Sequence, residues 1–388
     1  MYTTTLGIDG PGPLSTARYL AELAALSLNS PSFVVLYAVE DAPVEQIAAE
    51  LQRRHPMVPI FGATSHQGVF TPTGFARGVA LLVGQQDDGI RVAEVFEEIA
   101  PNATAEAAER ACREIELRLG SAPNALILHA TPGCEENVLL GIRAAFGTSV
   151  PVYGGSAADD AVSGGWRIIG KGRASSRGFV LAGVLTGQSV RGAFLGGYLP
   201  TGHVGTVTRA HNRDVYEIDH KPAAVVYNEW TGGAIQEEAA RGGSVLEKTS
   251  LWPVARVVKE RLGMPQRLLA QPHKVLASTR GLSFFSELVE GDEIMLMTST
   301  RDPLIKRVQP AVSRARQRQS ATRGGLLLYS GGCFSTARGE AARIAAEFRL
   351  ASGDIPFIGL ATFGEQGCFF DKGQSHHGNL MCAGVLFE

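Results

Sequence analysis

The sequence of 388 residues lacks the features that mark several common classes of protein. No apolar run approaches the roughly 20 residues that a membrane-spanning helix needs. The N-terminal stretch MYTTTLGIDGPGPLS has no basic region followed by an apolar segment, so we expect no signal peptide. The net charge of -2 gives no general attraction to nucleic acid or to an anionic membrane. We therefore expect a cytoplasmic globular protein with no nucleic-acid or membrane partner.

The sequence also lacks the usual signatures of metal and hydrolase sites. It has five cysteines but no CxxC pair, and the histidines form neither an HExxH nor an HxxxH pattern, so a zinc site is not expected. There is no GxSxG nucleophile motif and no phosphate-binding GxxxxGK[ST] motif. An odd number of cysteines without a secretion signal indicates reduced thiols. At 45% apolar and 19% charged residues, the composition is typical of a folded globular chain.

Three segments of the chain share one layout. Each contains a buried strand, a loop of small residues, an amphipathic helix and a second strand that begins with Val-Pro or Ile-Pro. A Gly-rich loop and a further apolar strand then follow. The second strands and their loops read VPIFGATSHQG, VPVYGGSAADD and IPFIGLATFGEQG. Val58 follows Tyr37 at the same spacing as Val150 follows His129, which indicates duplicated units.

This order of elements predicts the fold class. A strand, a helix and a second strand require a crossover connection, so we expect an α/β fold in which duplicated units form mixed β-sheets flanked by helices. We expect each repeated proline at a strand start and the following glycine at a bend. A degraded fourth copy is predicted at residues 292–324. Residues 165–220 read as short strands and turns, and we place a domain boundary at about residue 221.

The ordered motifs resemble the FIST family, a bacterial sensory module with an N-terminal and a C-terminal half. The N-terminal resemblance is carried by HPMVPIFGATSHQGVFTPTGFARGVALLV and VPVYGGSAADD. The C-terminal resemblance is carried by LLYSGGCFSTARGEAARIAAEF, IPFIGLATFGEQG and HHGNLMCAGVLF. The resemblance implies two pseudo-repeated halves, at residues 30–220 and 221–388, and a role in sensing small ligands for signal transduction.

Within this family the chain is similar to the stand-alone nitric-oxide-sensing proteins, known as NosP. That resemblance implies a b-type haem, nitric oxide as the ligand and a histidine kinase as the regulated partner, with a homodimer as a further expectation. It implies no catalytic activity. Nitric oxide would bind the haem iron, weaken the proximal bond and shift an equilibrium between two conformations that the kinase distinguishes.

A haem iron needs an axial His, Cys or Tyr ligand in an apolar pocket. His129 ends the apolar strand ALILHA, and its equivalents in the other units are Tyr37 and Tyr329. Ligands of open α/β sheets bind at the carboxyl ends of strands, so His129 is the first candidate for the iron ligand. His66 and His377 are the next candidates. The alternative for His129 is a strand-end histidine that is hydrogen-bonded to the next loop.

Polar residues recur in the Gly-rich loops. His66 corresponds to Glu365 and roughly to Asp159 or Asp160, so these side chains are candidates for a pocket rim. The alternative is a set of turn residues with local hydrogen bonds. The same carboxylates suit a second hypothesis, in which the protein binds an amino acid or a similar metabolite without haem.

Two cysteines and a basic run complete the candidates. Cys134 and Cys333 each stand at a predicted helix start, where the thiol pKa is lowered, so either is a candidate reactive or ligating thiolate. This pattern supports a third hypothesis, an α/β enzyme that uses a loop cysteine. The alternative is a small buried residue. The basic run from Lys306 to Arg323 predicts a solvated helix face, with partner docking as the second interpretation.

Overall fold

The structure is a computed structural model and describes residues 1–7, 15–100, 104–261, 264–316, 321–337, 339–369 and 373–388. It confirms the mixed α/β class, with three six-stranded mixed sheets, one nine-stranded sheet and flanking helices. Among the described residues, no helix combines the length and the apolar composition required to cross a membrane. The repeat occurs three times, and each copy is longer than the sequence pattern suggested.

The first repeat contains two helices and six strands. Its elements are β1 (Tyr2–Leu6), α1 (Thr16–Ala25), β2 (Pro31–Val39), α2 (Val44–Arg54), β3 (Ile60–Ser65), β4 (Val69–Thr71), β5 (Gly74–Ala76) and β6 (Val79–Gln85). A 3-10 turn, Gln86–Asp88, follows. Helix α2 forms because Val44, Ile47, Ala48 and Leu51 lie on one face and are buried together.

The second repeat has the same order of elements. They are β7 (Ile90–Glu97), α3 (Thr104–Leu119), β8 (Ala125–Ala130), α4 (Glu135–Phe146), β9 (Val152–Gly155), β10 (Ile168–Gly170), β11 (Arg173–Ser175) and β12 (Phe179–Thr186). Helix α4 ends at Gly147, which has a φ of 61° that favours glycine. Residues 165–186, predicted as short strands and turns, therefore belong to this repeat.

The third repeat begins with β13 (Val190–Leu195) and is then interrupted by a separate antiparallel unit, which we call the inserted module. Its elements are β14 (Leu199–His211), β15 (Asp214–Ile218), β16 (Lys221–Pro222), α5 (Ala223–Trp230), α6 (Gln236–Arg241), β17 (Gly243–Ser244), α7 (Leu246–Thr249), β18 (Val254–Arg261), β19 (Met264–Ala270), β20 (Pro272–Leu276), β21 (Gly281–Phe284) and β22 (Glu293–Thr298). All pairings within its nine-stranded sheet are antiparallel.

The third repeat resumes after the inserted module. Its remaining elements are α8 (Arg301–Lys306), α9 (Val308–Ala315), β23 (Gly324–Ser330), α10 (Gly331–Thr336), α11 (Ala341–Ser352), β24 (Phe357–Thr362), β25 (Glu365–Cys368), β26 (Ser375–Gly378) and β27 (Cys382–Phe387). The prediction of a degraded fourth copy is wrong. Strand β22 belongs to the inserted module, where it pairs antiparallel with β14 and β18, and α8 with α9 takes the place that α3 has in the second repeat.

The three repeats exchange hairpins in a closed cycle. The hairpin β4–β5 of the first repeat extends the sheet of the third, the hairpin β10–β11 of the second extends the first, and the hairpin β25–β26 of the third extends the second. Each six-stranded sheet consequently has the same strand order, such as β1-β6-β2-β3-β10-β11. We call this arrangement the ring. It makes the repeats inseparable, because each sheet is completed by another repeat.

The repeated Pro and Gly residues explain the parallel strand pairs. Each repeat has one parallel pair, namely β2–β3, β8–β9 and β23–β24. Pro59, Pro151 and Pro356 each come directly before the second strand of a pair, as predicted. The prediction of a bend at the glycine is wrong. Gly62 lies inside β3, where an added Cβ would stand 1.7 Å from the carbonyl oxygen of Leu36 on β2.

The main core lies inside the ring, where the inner faces of the three sheets meet. Tyr37, Tyr153, Phe194 and Tyr329 are among its buried side chains. Separate clusters fill the space under α1 and α2, the space under α3 and α4, and the interior of the inserted module. The predicted division at residue 221 falls inside the inserted module, between β15 and β16, and strands from both sides of it share sheets.

Candidate functional site

The ring and the inserted module enclose a cavity of about 590 Å³, which we call the junction cavity. Its ring wall consists of His66 and Gln67 after β3, residues 160–162 after β9, and residues at the ends of β23 and β24. Its module wall consists of Leu246, Glu247, Ser250, Gln271 and Phe285. The volume lies within the range of ordinary small-molecule sites, about 300 to 1,000 Å³.

The junction cavity lies at the carboxyl ends of a parallel strand pair, where ligands of α/β sheets bind. Ser330 ends β23, Thr362 ends β24, and the two residues are paired in register and both line the cavity. Gly331 and Gly332 follow Ser330 and also line it. This cavity belongs to the third repeat, whereas His129, the first candidate, lies near the end of the corresponding strand β8 of the second.

Asn379 is a buried polar residue of the junction cavity whose side-chain amide is only partly hydrogen-bonded among the described residues. The residue is 2% exposed and lines the cavity. Its backbone N–H donates to the Leu269 carbonyl (3.0 Å), and its Oδ1 accepts from the Gln271 N–H (3.3 Å). Its amide nitrogen Nδ2 is buried and has no hydrogen-bond partner in the part of the chain that the structure describes. A buried donor left unpaired costs about 1 to 3 kcal/mol, which a ligand oxygen would recover.

Gln271 fixes the module wall of the cavity. Its side chain is 3% exposed and donates from Nε2 to Ser250 Oγ (3.1 Å) and to Thr249 Oγ1 (3.2 Å). Its backbone N–H holds Asn379 Oδ1. Asn379 therefore ties the ring to the inserted module beside the cavity through its side-chain Oδ1 and its backbone N–H, while the Gln271 side chain bonds within the module.

The structure brings His66, Asp159 and Asp160, which stand at corresponding positions of two repeats, close together. His66 Nδ1 lies 2.9 Å from the Asp159 carbonyl oxygen, and His66 Nε2 lies 3.2 Å from Ser335 Oγ. Asp160 accepts from the Gln67 N–H (2.7 Å) and pairs with Arg77 (2.9 Å). Of these three, His66 and Asp160 line the junction cavity.

Asp159 and Glu365 are buried behind the cavity wall. The Asp159 carboxylate accepts from the backbone N–H groups of Val162, Ser163 and Gly165, so it holds its own loop in shape. Glu365 bonds Thr362 Oγ1 (2.5 Å) and accepts from the Met381 N–H (2.8 Å). Burial raises the pKa of Glu365 to about 8, so the side chain is mostly protonated at neutral pH.

His129 lies in the ring core, away from both cavities that we describe. The side chain is 0% exposed, with Nε2 3.2 Å from the Tyr37 hydroxyl and Nδ1 3.0 Å from the Gly155 carbonyl oxygen. Burial lowers its pKa to about 4, so the ring is neutral. Since Nδ1 must donate to the carbonyl, Nε2 accepts from Tyr37. His129 is therefore a hydrogen-bonded histidine near a strand end, but its partners are Tyr37 on β2 and Gly155 at the end of β9 rather than the loop that follows β8.

Tyr37 and Tyr329 occupy equivalent strand ends but do not share a site. The Tyr37 hydroxyl contacts His129, whereas the Tyr329 hydroxyl donates to the Leu304 carbonyl (3.0 Å). The guanidinium of Arg307 lies 4.9 Å from the centre of the Tyr329 ring. Neither tyrosine lines the junction cavity.

All five cysteines are free and buried. The expectation of a lowered thiol pKa at the helix starts is wrong, because burial outweighs any effect of the helix ends. Burial raises the pKa of Cys134 to about 12 and also raises that of Cys333. Cys333 is close to the cavity in sequence, between the lining residues Gly332 and Ser335, but its side chain is 0% exposed.

The basic run does not form a fully solvated face. Lys306, Arg314, Arg316 and Arg323 are exposed, but Arg307 is 4% exposed. Its guanidinium donates to the carbonyls of Gly196, Leu380 and Met381. The interpretation is therefore wrong for Arg307, which joins α8 to the ring. Arg318, which belongs to the same run, lies outside the described residues.

A second, smaller cavity of about 270 Å³, which we call the side cleft, lies between α4, the β26 hairpin and the inserted module. His377 lines it, and Glu135, Glu136 and His377 present ligand atoms within 4.8 Å of one another. Arg213 of the inserted module contacts both carboxylates, at 2.7 and 2.5 Å. Burial alone would raise the pKa of Glu135, but the Arg213 charge more than offsets it and holds that pKa below its usual range.

The hydrogen bonds around His377 do not suit a metal ion. Gln366 Nε2 lies 3.0 Å from His377 Nδ1 and 3.2 Å from Ser156 Oγ, while His377 Nε2 lies 3.3 Å from the Phe285 carbonyl oxygen. Nδ1 therefore accepts and Nε2 donates, which leaves no lone pair on Nε2 for a metal. Arg213 already supplies the positive charge that the two carboxylates need.

These observations also test the fit of haem. His129 has both ring nitrogens in internal hydrogen bonds, and His377 donates from Nε2. His66 lines the junction cavity, but the walls there are rich in hydroxyl and amide groups, including Ser250, Ser335 and Asn379. The arrangement does not provide the apolar pocket with a free axial ligand that a haem iron needs.

Sequence reasoning missed the residues of the inserted module and Asn379. Gln271 and Phe285 lie outside the repeats, so no internal comparison identified them. Asn379 stands two residues after the HisHis pair in HHGNLM, within a motif that entered the analysis of the sequence only through the family resemblance. An uncharged polar residue between a Gly and an apolar strand was the available signal.

Comparison with known proteins agrees with the repeated motifs. A model of the FIST N domain matches residues 32–221, and a model of the FIST C domain matches residues 223–368. The two matched ranges meet inside the inserted module and together cover most of the chain. No curated protein matches the sequence.

Proposed function

Because the chain belongs to the FIST domain family, which is associated with small-ligand sensing in signal transduction, we propose that it senses a small polar metabolite in the junction cavity. An amino acid or a molecule of similar size and polarity suits this cavity, and no haem is needed. The proposal includes no catalytic step.

The observation that carries this proposal is Asn379. Its Nδ2 is buried and finds no partner among the described residues, and Asn379 lines a cavity of about 590 Å³ whose walls hold many further polar groups. A buried polar atom is normally hydrogen-bonded, and an unpaired one next to a cavity is typical of a site that a ligand completes.

The location of the cavity suggests how binding is transmitted. A ligand that contacts both walls favours the arrangement in which the inserted module is closed on the ring. Its effect on this equilibrium equals the difference between its affinities for the closed and open arrangements. A partner protein that contacts both the ring and the module would then distinguish the two states.

Ligand-dependent thermal stabilisation tests the proposal. Amino acids and other small polar metabolites are screened with the purified chain, and hits are measured by calorimetry; a ligand that binds the folded state raises the Tm. We expect Asn379→Ala to weaken binding up to about tenfold, because one hydrogen bond is lost. Asn137→Ala is the matched control, since Asn137 is exposed and lines the side cleft. Equal affinity in Asn379→Ala would exclude the proposed site.

Haem-based sensing of nitric oxide and control of a histidine kinase are the finer functions that the family resemblance implies. Among His129, His66 and His377, only His66 lines the junction cavity. A Soret band in the haem-reconstituted chain that disappears in His66→Ala would support this version of the function. Absorbance of free haem alone would exclude it.

A further inference from the structure

We infer that the junction cavity selects a small organic ammonium ion. This inference rests on the proposed function of the cavity and specifies the chemical class of its ligand. Three features of the walls carry it, namely their charge, their aromatic rings and the donor of Asn379.

The ionisable groups of the cavity favour a cation. Asp160 and Glu247 line it, and among the described residues neither a lysine nor an arginine does; His66 is the remaining ionisable lining group. Glu247 lines the cavity, is exposed to solvent, and its side chain has no ion pair or hydrogen bond in the described part of the chain. Asp160 shares Arg77 with Asp41, so this triad keeps a net negative charge.

The buried Asp159 carboxylate adds a further negative charge behind the wall. It is 0% exposed and is held by backbone N–H groups, with no cationic side chain in ion-pair contact among the described residues. Charges of one sign around a cleft with low-dielectric walls concentrate their field in the cleft. The cavity therefore attracts cations and disfavours ligands that carry a net negative charge.

Two aromatic rings line the same cavity and are held in place by their neighbours. Phe285 stacks on His273 with ring centres 4.4 Å apart, and Phe363 contacts the rings of His66 (5.8 Å) and Trp166 (6.3 Å). The face of an aromatic ring attracts an ammonium group, and the attraction grows as the group is desolvated. Carboxylates combined with aromatic rings are the chemistry by which proteins recognise organic ammonium ions.

Asn379 specifies the rest of the ligand. Its unpaired Nδ2 is a donor and needs an acceptor, such as a carbonyl or hydroxyl oxygen. The ligand class is therefore an amine or quaternary ammonium ion that also carries an oxygen acceptor.

Matched probes that differ in charge alone test this inference. 4-Aminobutanamide carries an ammonium group and an amide oxygen, pentanamide replaces the ammonium by a methyl group, and glutaramate replaces it by a carboxylate. Choline and its neutral analogue 3,3-dimethylbutan-1-ol form a second set. By calorimetry we expect an ammonium probe to bind at least about tenfold more tightly than its neutral analogue, with the anion weakest.

Variants assign the effect to the walls. Glu247→Gln and Phe363→Leu should each weaken binding of the ammonium probe about threefold and leave binding of the neutral analogue unchanged. Glu237→Gln is the control, because Glu237 is an exposed acid on α6 that does not line the cavity. Raising the salt concentration should reduce affinity for the ammonium probe in the wild type more than in Glu247→Gln.

The outcomes separate this inference from the function on which it rests. If an Asn379-dependent ligand is found and it is neutral or anionic, or if the neutral analogue binds as tightly as the ammonium probe, the inference is overturned and the sensing function stands. If no probe at about 10 mM and no screened metabolite stabilises the chain, both are overturned.

Discussion

His129, Arg307 and Glu365 are three of the buried ionisable side chains of the ring that have no ion pair among the described residues. Each is stabilised by hydrogen bonds to neighbouring backbone or side-chain groups instead. His129 remains neutral, whereas Arg307 remains charged against three carbonyl oxygens and a tyrosine ring. Buried groups of this kind make stability depend on pH, with a sign set by the direction of each pKa shift.

Glu365→Gln should make the protein more stable at alkaline pH. The pKa of Glu365 is about 8 in the folded state and near 4.5 in the unfolded chain, because burial favours the protonated form. The folded state thus binds more protons between these values, and the wild type loses stability as pH rises from 4.5 to 8. Glutamine keeps the shape without the charge. Urea unfolding at pH 5 and pH 8.5 should give similar stability at pH 5 and a more stable variant at pH 8.5.

The contrary case is that Glu365 is ionised in the folded state. In that case the variant would gain nothing at pH 8.5, and the difference between variant and wild type would not change with pH. The neighbouring substitution Gln366→Glu would not be an adequate control, because the Gln366 side chain is hydrogen-bonded to His377 and the substitution would remove that bond. The exposed Glu237→Gln variant is suitable, since its stability should differ little from that of the wild type at either pH.

At the scale of elements, the strand pairs of the ring depend on close approach of backbones. The glycines of the three repeated motifs lie inside the second strand of each parallel pair. An added Cβ would stand 1.7 Å from a carbonyl oxygen at Gly62, 2.1 Å at Gly154 and 2.7 Å at Gly359. The repetition of this contact explains why the sequence places glycine at the same position in each repeat.

Gly62→Ala should destabilise the fold by about 3 kcal/mol or more, because the methyl group meets the backbone of β2 rather than a movable side chain. Thermal unfolding measures the change. Gly187→Ala is the matched control: Gly187 is exposed and has no atom within 4 Å of an added Cβ, so its effect should stay within about 0.5 kcal/mol. Comparable losses in both variants would show that the contact with Leu36 is not what matters.

At the scale of the whole molecule, an ion cluster and a hydrogen bond beside the junction cavity are two of the connections between the inserted module and the ring. Arg213 of the module contacts Glu135 and Glu136 of α4, and the Glu136 carboxylate also accepts from the Glu287 N–H of the module (2.9 Å). Asn379 and Gln271 form the second connection beside the junction cavity. The two cavities lie on either side of the His377 contact with the Phe285 carbonyl.

Arg213→Ala should loosen the module from the ring. Removal of the guanidinium leaves the buried Glu135 carboxylate without its counter-charge, which costs about 3 kcal/mol. Hydrogen exchange of β14 and β15 should become faster while β23 and β24 stay protected. Arg209→Ala removes an exposed pair with Glu217 and should change neither measurement appreciably. Uniformly faster exchange in Arg213→Ala would instead indicate that ring and module unfold as one unit.

The sequence predicted the repeated strand, helix and strand units because hydrophobic periodicity and the Pro and Gly positions are local signals. It missed the outer strand and helix of each repeat, such as β7 and α3, since their pattern does not recur as recognisable letters. Among site candidates, His66 and Asp160 line the junction cavity, whereas His129 and Tyr37 lie in the core. Alternation and spacing do not reveal which side of a fully buried strand faces a cavity.

The amino-acid sequence by itself determined the α/β class, the threefold repetition of the central units and the membership of the FIST family. The tertiary structure decided where the hairpins go, since each one completes the sheet of a different repeat through backbone hydrogen bonds that no local pattern encodes. It also decided the site. Asn379 is a candidate for binding the ligand only because the inserted module closes over the ring and leaves the Asn379 Nδ2 buried beside a cavity. That arrangement results from packing between segments that are distant in sequence.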